Sequence, residues 1–268
     1  MLSPLVVAAA STSCATNTRD AAKNEVNHVA SNAPGGASSG GNGASVAQSG
    51  GASPREAADA GGTAVPSGAY TTNFDLNESA LSEGGKWKHD GLDWTTIITA
   101  DGLAFGTQSG TSGFDDSYAY LAGTFPADQS GSAIIHLESG IAPNSYQEVE
   151  ILLRWRDSAH NSTGYECNLA FSGQYAEIIK WPGPRGKDKS EFKFISSGNP
   201  VADGVHDGDT FQCDVVGNVI TSRLNGKVLA TGTDNSIPSG GAPGIGFYAE
   251  KAPASRKFSF TKFTGTGL

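Results

Sequence analysis

Residues 210–231 read TFQCDVVGNVITSRLNGKVLAT, and this stretch constrains the fold more than any other part of the chain. Asn225-Gly226 is the preferred pair for a two-residue type I′ hairpin, whose central residues both need positive φ. Gly217-Asn218 reads as a second two-residue hairpin loop. Folding the segment about both turns makes a three-stranded meander with fixed registers. Phe211 then lies opposite Leu224, Cys213 opposite Ser222, and Val215 opposite Ile220; across the second turn, Leu224 meets Lys227 and Ser222 meets Leu229. Successive strand side chains point to opposite faces. One face therefore collects Phe211, Cys213, Val215, Ile220, Leu224 and Leu229, and the other Gln212, Asp214, Thr221 and Arg223. Two independent turns thus yield one consistent apolar face.

The same alternation recurs upstream. In QEVEILLRWRD the odd positions Val149, Ile151, Leu153 and Trp155 are apolar, while Glu148, Glu150, Leu152, Arg154 and Arg156 occupy the even ones. After the polar segment DSAHNST, Tyr165, Cys167, Leu169 and Phe171 share a side opposite Glu166, Asn168 and Ala170. Antiparallel pairing of the two runs places Arg154 roughly opposite Glu166, where opposite charges form a cross-strand pair. Further strands are expected at 95–99, 103–107, 117–122, 132–137, 175–180, 244–249 and 257–263. No window of a dozen residues past position 70 carries the i, i+3, i+4, i+7 apolar spacing of a capped helix. The expected fold class is all-β: about a dozen short strands with one-sided patterning, stacked as a two-sheet antiparallel jelly-roll β-sandwich.

That pattern occupies only part of the 268 residues. Up to position 68 the chain is dominated by Ala, Ser, Gly, Asn and Thr, and its first aromatic residue is Tyr70. A segment without large apolar side chains cannot offset the entropy of ordering its backbone. The expected organisation is a signal-like segment at 1–14, a disordered tether at 15–68, and one β-sandwich domain at 69–268. Such a tether spans about 40 Å end to end as a flexible coil. Residues 1–68 carry three basic and four acidic side chains, which leaves 15 basic and 23 acidic for residues 69–268 out of totals of 18 and 27. A domain of net charge −8 argues against nucleic acid as a partner, because phosphate binding relies on clustered Lys and Arg. The basic run PRGKDKS at 184–190 is interrupted by Asp188 and reads as a solvated loop.

The opening MLSPLVVAAASTSC is too short in apolar residues for a membrane span. It reads as an export signal, and it resembles a bacterial lipoprotein signal ending at Cys14. That resemblance implies lipidation of Cys14, with the domain held at the cell surface or outer membrane by the lipid alone; the plainer alternative is a secreted chain. Cys167 and Cys213 remain. Both fall on apolar strand faces, which suits either a buried disulfide in an exported chain or two separate core thiols.

NFDLNESALSEGGKW near the start of the domain, and GDTFQCDVVGNVITSRLNGKVLATGTDNSIPSGGAPGIGFYAE near its end, resemble the first and last strands of laminin-G-like, concanavalin A-like jelly rolls. The likeness covers roughly residues 70–268 and rests on structural motifs. It implies the sandwich fold and a group whose members include lectins, adhesion modules, glycoside hydrolases and polysaccharide lyases. Laminarinase-type glycosidases of this group carry Glu-x-Asp followed two or three residues later by Glu. Their chemistry needs two carboxyl groups flanking the scissile bond. EVEILL supplies Glu148 and Glu150 on one strand face, but Leu stands at both 152 and 153. Alginate-lyase relatives would need a His and a Tyr on facing strands; IIHLES offers His136 without the Tyr-rich companion motif.

Other chemistry is sparse. No two of His28, His89, His136, His160 and His206 stand at zinc-ligand spacing. Asp115 and Asp116, and Asp203, Asp207 and Asp209, are candidate oxygen ligands for calcium, although Asp in Gly-rich turns is ordinary turn chemistry. GASSG at 36–40 matches a serine-nucleophile pattern, but no strand precedes it and no helix follows. For sugar binding, planar hydrogen-bonding side chains beside an aromatic ring are the useful set. Arg154, Arg156, Glu166 and Asn168 form such a strip if their sheet is the concave one, with Trp181 at its edge. The reading is a non-catalytic recognition or adhesion module for glycan, without a cofactor. A glycan-cleaving enzyme of the same fold and a structural envelope component are the alternatives.

Overall fold

The computed structural model describes residues 68–268, apart from 92, 112–115, 143–144, 185–191 and 199. The signal-like segment with Cys14, the tether, the GASSG motif, Asp115 and nearly all of the 184–190 loop lie outside the described residues. Fifteen strands follow one another, and no helix occurs among the described residues. The first five are β1 (Ala69–Thr72), β2 (Trp87–Lys88), β3 (Thr95–Ala100), β4 (Leu103–Gly106) and β5 (Asp116–Leu121). The next five are β6 (Gln129–Leu137), β7 (Tyr146–Ser158), β8 (Asn161–Ala170), β9 (Ala176–Pro184) and β10 (Lys193–Ser197). The last are β11 (Thr210–Val216), β12 (Val219–Leu224), β13 (Lys227–Thr233), β14 (Ala242–Glu250) and β15 (Phe258–Gly267).

One sheet runs β10-β9-β8-β7-β14-β5, with β2 added on β5; the other runs β4-β15-β6-β11-β12-β13, with β1 added on β15. Strand β3 turns the corner between them. It pairs with β4 in the usual antiparallel sense and with β5 in parallel at Thr95–Ser117 and Thr96–Tyr118. The fold is therefore the expected jelly-roll sandwich with one short parallel seam.

The meander forms with the expected β11–β12 register, Phe211 on Leu224, Cys213 on Ser222 and Val215 on Ile220. Asn225 and Gly226 both adopt positive φ, 50° and 78°. Past Arg223, however, a bulge puts Ala230 rather than Leu229 opposite Ser222. Ala230 takes the buried place and Leu229 is only half-buried.

Between the sheets, Val149, Ile151, Leu153 and Leu169 meet Ile135, Phe211, Val215, Ile220 and Phe260, all fully buried. Burial at this level contributes roughly 1.5–3 kcal/mol per large side chain. Cys167 of β8 and Cys213 of β11 are bonded through sulfur across the two layers, with Cα atoms 6.1 Å apart.

The strand pair β7–β8 departs from simple alternation at one place. Leu153 lies opposite Tyr165 and Arg156 opposite Thr163, so two residues, Arg154 and Trp155, face Gly164 alone. This bulge shifts the phase of the strand. Trp155, expected beside Leu153 in the core, turns to the other face, where a Cβ on Gly164 would come within 2.6 Å of its ring. Glu166 accordingly pairs with Leu152, and the expected Arg154–Glu166 contact is replaced by other partners. Arg154 has a φ of 50°. Gly241 packs on its main chain so closely that a Cβ would lie 2.2 Å from the Arg154 carbonyl carbon.

Candidate functional site

Two regions gather chemistry-bearing side chains. The first is the outer face of the β9-β8-β7-β14-β5 sheet. Strand alternation brings Glu148 and Glu150 of β7, Glu166 and Asn168 of β8, Glu177 of β9, and Asp116 and Tyr248 of β5 and β14 to this face. Register sets Glu150 beside Asn168, and Asn168 beside Glu177. One oxygen from each of Glu148, Glu150 and Glu166 lies within 4.8 Å of the others. Gly246 makes room for this, since a Cβ there would meet Glu150 Oε2 at 2.3 Å.

Clusters of this polarity ordinarily face water, yet Glu148, Glu150 and Glu166 are only 1–2 % exposed. Protein donors reach Glu148 and Glu166. Tyr175 Oη donates to Glu148 at 2.6 Å, Trp181 Nε1 to Glu166 at 2.7 Å, and Asn168 Nδ2 to Glu166 at 3.1 Å. Asn168 also accepts from the Glu177 backbone N–H at 3.1 Å. Burial, then the charge of Glu148 and the hydrogen bond to Glu250, hold the Tyr248 phenol proton well above the usual tyrosine range. Next to the carboxylates the same face carries Trp155, Trp181 and Tyr118. Trp94 packs on all three, with ring centroids 5.8, 4.8 and 5.1 Å away, and Phe192 packs on Trp181 at 5.6 Å. Rings that in an open cleft would stack on a sugar here pack against one another, edge to face or tilted.

The sequence-predicted strip is thus split. Glu166, Asn168 and Trp181 stand together but inside, Trp181 at the centre rather than at an edge. Arg154 leaves the face altogether. Its guanidinium donates to the carbonyls of Ala127, Ile237 and Gly217 at 2.7, 2.6 and 2.7 Å, clamping three loops at one end of the sandwich. Arg156, beyond the bulge, is exposed and donates to the Ser239 carbonyl at 3.0 Å. The bulge is the reason, since strict alternation would have kept both arginines beside Glu166.

The second region is the segment 200–209 that leads into β11, an interior strand of its sheet. On one side of it is a pocket of about 480 Å³, lined by Leu137, Glu138, Ile141, Phe171, His206 and Asp207 among others. On the other is a pocket of about 370 Å³ reaching the β12–β13 turn, lined by Val201, Asp203, His206, Asp209, Asn225 and Leu229 among others. Gly204 and His206 line both, so the segment is a wall between them. Volumes of a few hundred Å³ with mixed apolar and hydrogen-bonding walls suit small organic ligands.

The wall is tied down by short-range bonds. Gly208 N–H donates to the Ile135 carbonyl at 2.9 Å, and Val201 N–H to that of Gly173 at 2.8 Å. Asp209 accepts from the His206 backbone N–H and from Asn225 Nδ2, both at 2.7 Å. Asp207 Oδ1 accepts from the Leu137 backbone N–H at 2.9 Å and lies 3.1 Å from His136 Nδ1, while His136 Nε2 lies 3.0 Å from Glu138 Oε1. The loop aspartates expected as calcium ligands are therefore engaged in building the loop, and Asp203 stands on a pocket rim. The oxygens that do converge belong to Glu148, Glu150 and Glu166, on strands β7 and β8. A hard cation takes oxygen ligands of this type, but sequence spacing holds no sign of a set assembled across a ladder.

No family model and no curated protein matches this chain. Among solved structures it is similar to the carbohydrate binding module CBM66 from Bacillus subtilis, at 14% identity and a TM-score of 0.44, over 70% of this chain and 96% of that one. It is similar to LamAcat from Zobellia galactanivorans at 8% identity and a TM-score of 0.46, over 77% and 100%. It is also similar to the laminarinase from Rhodothermus marinus at 10% identity and a TM-score of 0.47, over 75% and 97%. Structures similar to this chain thus include both a binding module and a glycan-cleaving enzyme, and at these levels of likeness they decide nothing between the two.

Proposed function

We propose that the protein is a non-catalytic glycan-recognition module displayed outside the cell, with the pockets beside the 200–209 segment as its saccharide site. The observation that carries the reading is where the carboxylates lie. The converging set, Glu148, Glu150 and Glu166, is buried within the fold, with Tyr175 donating to Glu148 and Asn168 and Trp181 donating to Glu166. The ligand-sized pockets instead pair apolar walls such as Phe171 and Leu229 with hydrogen-bonding groups such as Asn225 and His206. Display outside the cell is supported by the Cys167–Cys213 disulfide, a bond that persists in oxidising compartments.

A second reading, a glycan-cleaving enzyme, is favoured by one feature. Carboxyl oxygens within 4.8 Å beside tryptophans suit a pair acting as nucleophile and acid/base. A glycan array run beside reducing-sugar and ultraviolet-absorbance assays separates the readings. Retention on a glycan without released ends is the expected result. Turnover that disappears in Glu148→Gln or Glu150→Gln overturns it in favour of the enzyme, and neither retention nor turnover leaves a structural envelope role.

A further inference from the structure

We infer that His136 is a positioning residue for the pocket wall and makes its closure, and with it saccharide binding, stronger in acid; the second half rests on the function proposed above. The geometry is specific. His136 Nδ1 is 3.1 Å from Asp207 Oδ1 and Nε2 is 3.0 Å from Glu138 Oε1. Carboxylate oxygens only accept, and a neutral imidazole carries one N–H. Both contacts are hydrogen bonds only when both ring nitrogens are protonated. In the neutral ring one of them sets a nitrogen lone pair against a carboxylate oxygen.

Asp207 belongs to the wall and lines the larger pocket, and its Oδ1 also accepts from the Leu137 backbone N–H. Loss of the imidazole proton thus loosens the carboxylate that holds the wall to β6. The other charged groups on the elements packed here do not replace the bridge. Asp209 is turned to Asn225 and to the His206 backbone, and the imidazole of His206 lies beside Asp209 at 3.8 Å. On the β15 side, Lys257 offers its backbone carbonyl to the Glu138 N–H while its ammonium lies over Gly140, where a Cβ would come within 2.8 Å of Nζ, and Lys262 is paired in register with Ile134 rather than with His136. Asp207 and Glu138 are 63% and 50% exposed, so solvent screens the bridge and its effect is modest.

The test uses the full chain and needs no ligand for its first arm. Amide exchange of Leu137, corrected for intrinsic rates, is measured by NMR at about pH 5.5 and 8.5, which bracket the ordinary histidine range. Protection is expected to fall about threefold from the lower to the higher pH in the parent, to stay level in His136→Gln, and to fall as in the parent in His206→Gln. A parent with no change, or a His136→Gln variant that keeps the change, overturns the assignment. In the second arm, glycans retained on an array are compared at the two pH values. Weaker retention at the higher pH, lost as a dependence in His136→Gln, supports the link to binding, and pH-independent retention refutes it. A silent array refutes the proposed function, while the exchange arm still decides the role of His136.

Discussion

Replacing Arg154 by alanine tests the claim that a buried guanidinium clamps three loops. The side chain is 1% exposed and donates to the carbonyls of Ala127, Ile237 and Gly217 at 2.6–2.7 Å. Hydrogen bonds to a charged group contribute about 1.5–3 kcal/mol each, and an orphaned buried acceptor costs about 1–3 kcal/mol. The three carbonyls lie near the end of the sandwich, where water replaces part of what is lost, so the low end applies to each. The expected loss is about 4 kcal/mol, which in a domain of this size lowers Tm by roughly 10 °C. Lysine should rescue little, because one ammonium cannot span three diverging acceptors as a planar fork does. Glycine should be less damaging than alanine by about 1 kcal/mol, since position 154 sits at φ 50°, a conformation costly for any residue with a Cβ. Equilibrium urea unfolding of the three variants is the assay. An Arg154→Ala variant within about 1 kcal/mol of the parent, or Arg154→Lys equal to it, would refute the reasoning.

Two further outcomes follow from single features of the fold. Cys167→Ser with Cys213→Ser removes a cross-link between residues 46 apart, which by loop-closure entropy costs about 4 kcal/mol; an unchanged unfolding midpoint under oxidising conditions would contradict this. Burial alone would raise the Asp234 carboxyl, but hydrogen bonds from Lys180, Ser236 and Tyr165 outweigh it and bring it down to about 2. The folded value is thus below the unfolded one near 4, so the contribution is complete above about pH 4 and fades as pH falls toward 2. The stability gap between the parent and Asp234→Asn should therefore narrow across that window, and a constant gap would count against the Asp234 network.

The meander was legible because its two turns are set by local chemistry. Asn225-Gly226 adopts positive φ whatever surrounds it, and the register of β11 on β12 follows. The bulges were not legible. Leu229 and Ala230 are both apolar, so nothing in the alternation shows which one slips past Ser222. Arg154 sits in sequence as an ordinary outward residue, and the shift it undergoes is imposed by Gly241, Gln129 and the three carbonyls, all distant along the chain.

The candidate site shows the same division more sharply. By itself the sequence determined the all-β class, the apolar faces of most of its strands, and the placing of Glu148 with Glu150 and of Glu166 with Asn168 on shared faces. These follow from a period of two and from turn residues, which act over a few bonds. Only the tertiary structure decided that the acidic face is internal, that Trp155 joins it, and that the open pockets lie along the 200–209 segment. Burial, register shifts and pocket walls arise between residues tens of positions apart, where no local pattern of side chains carries the information.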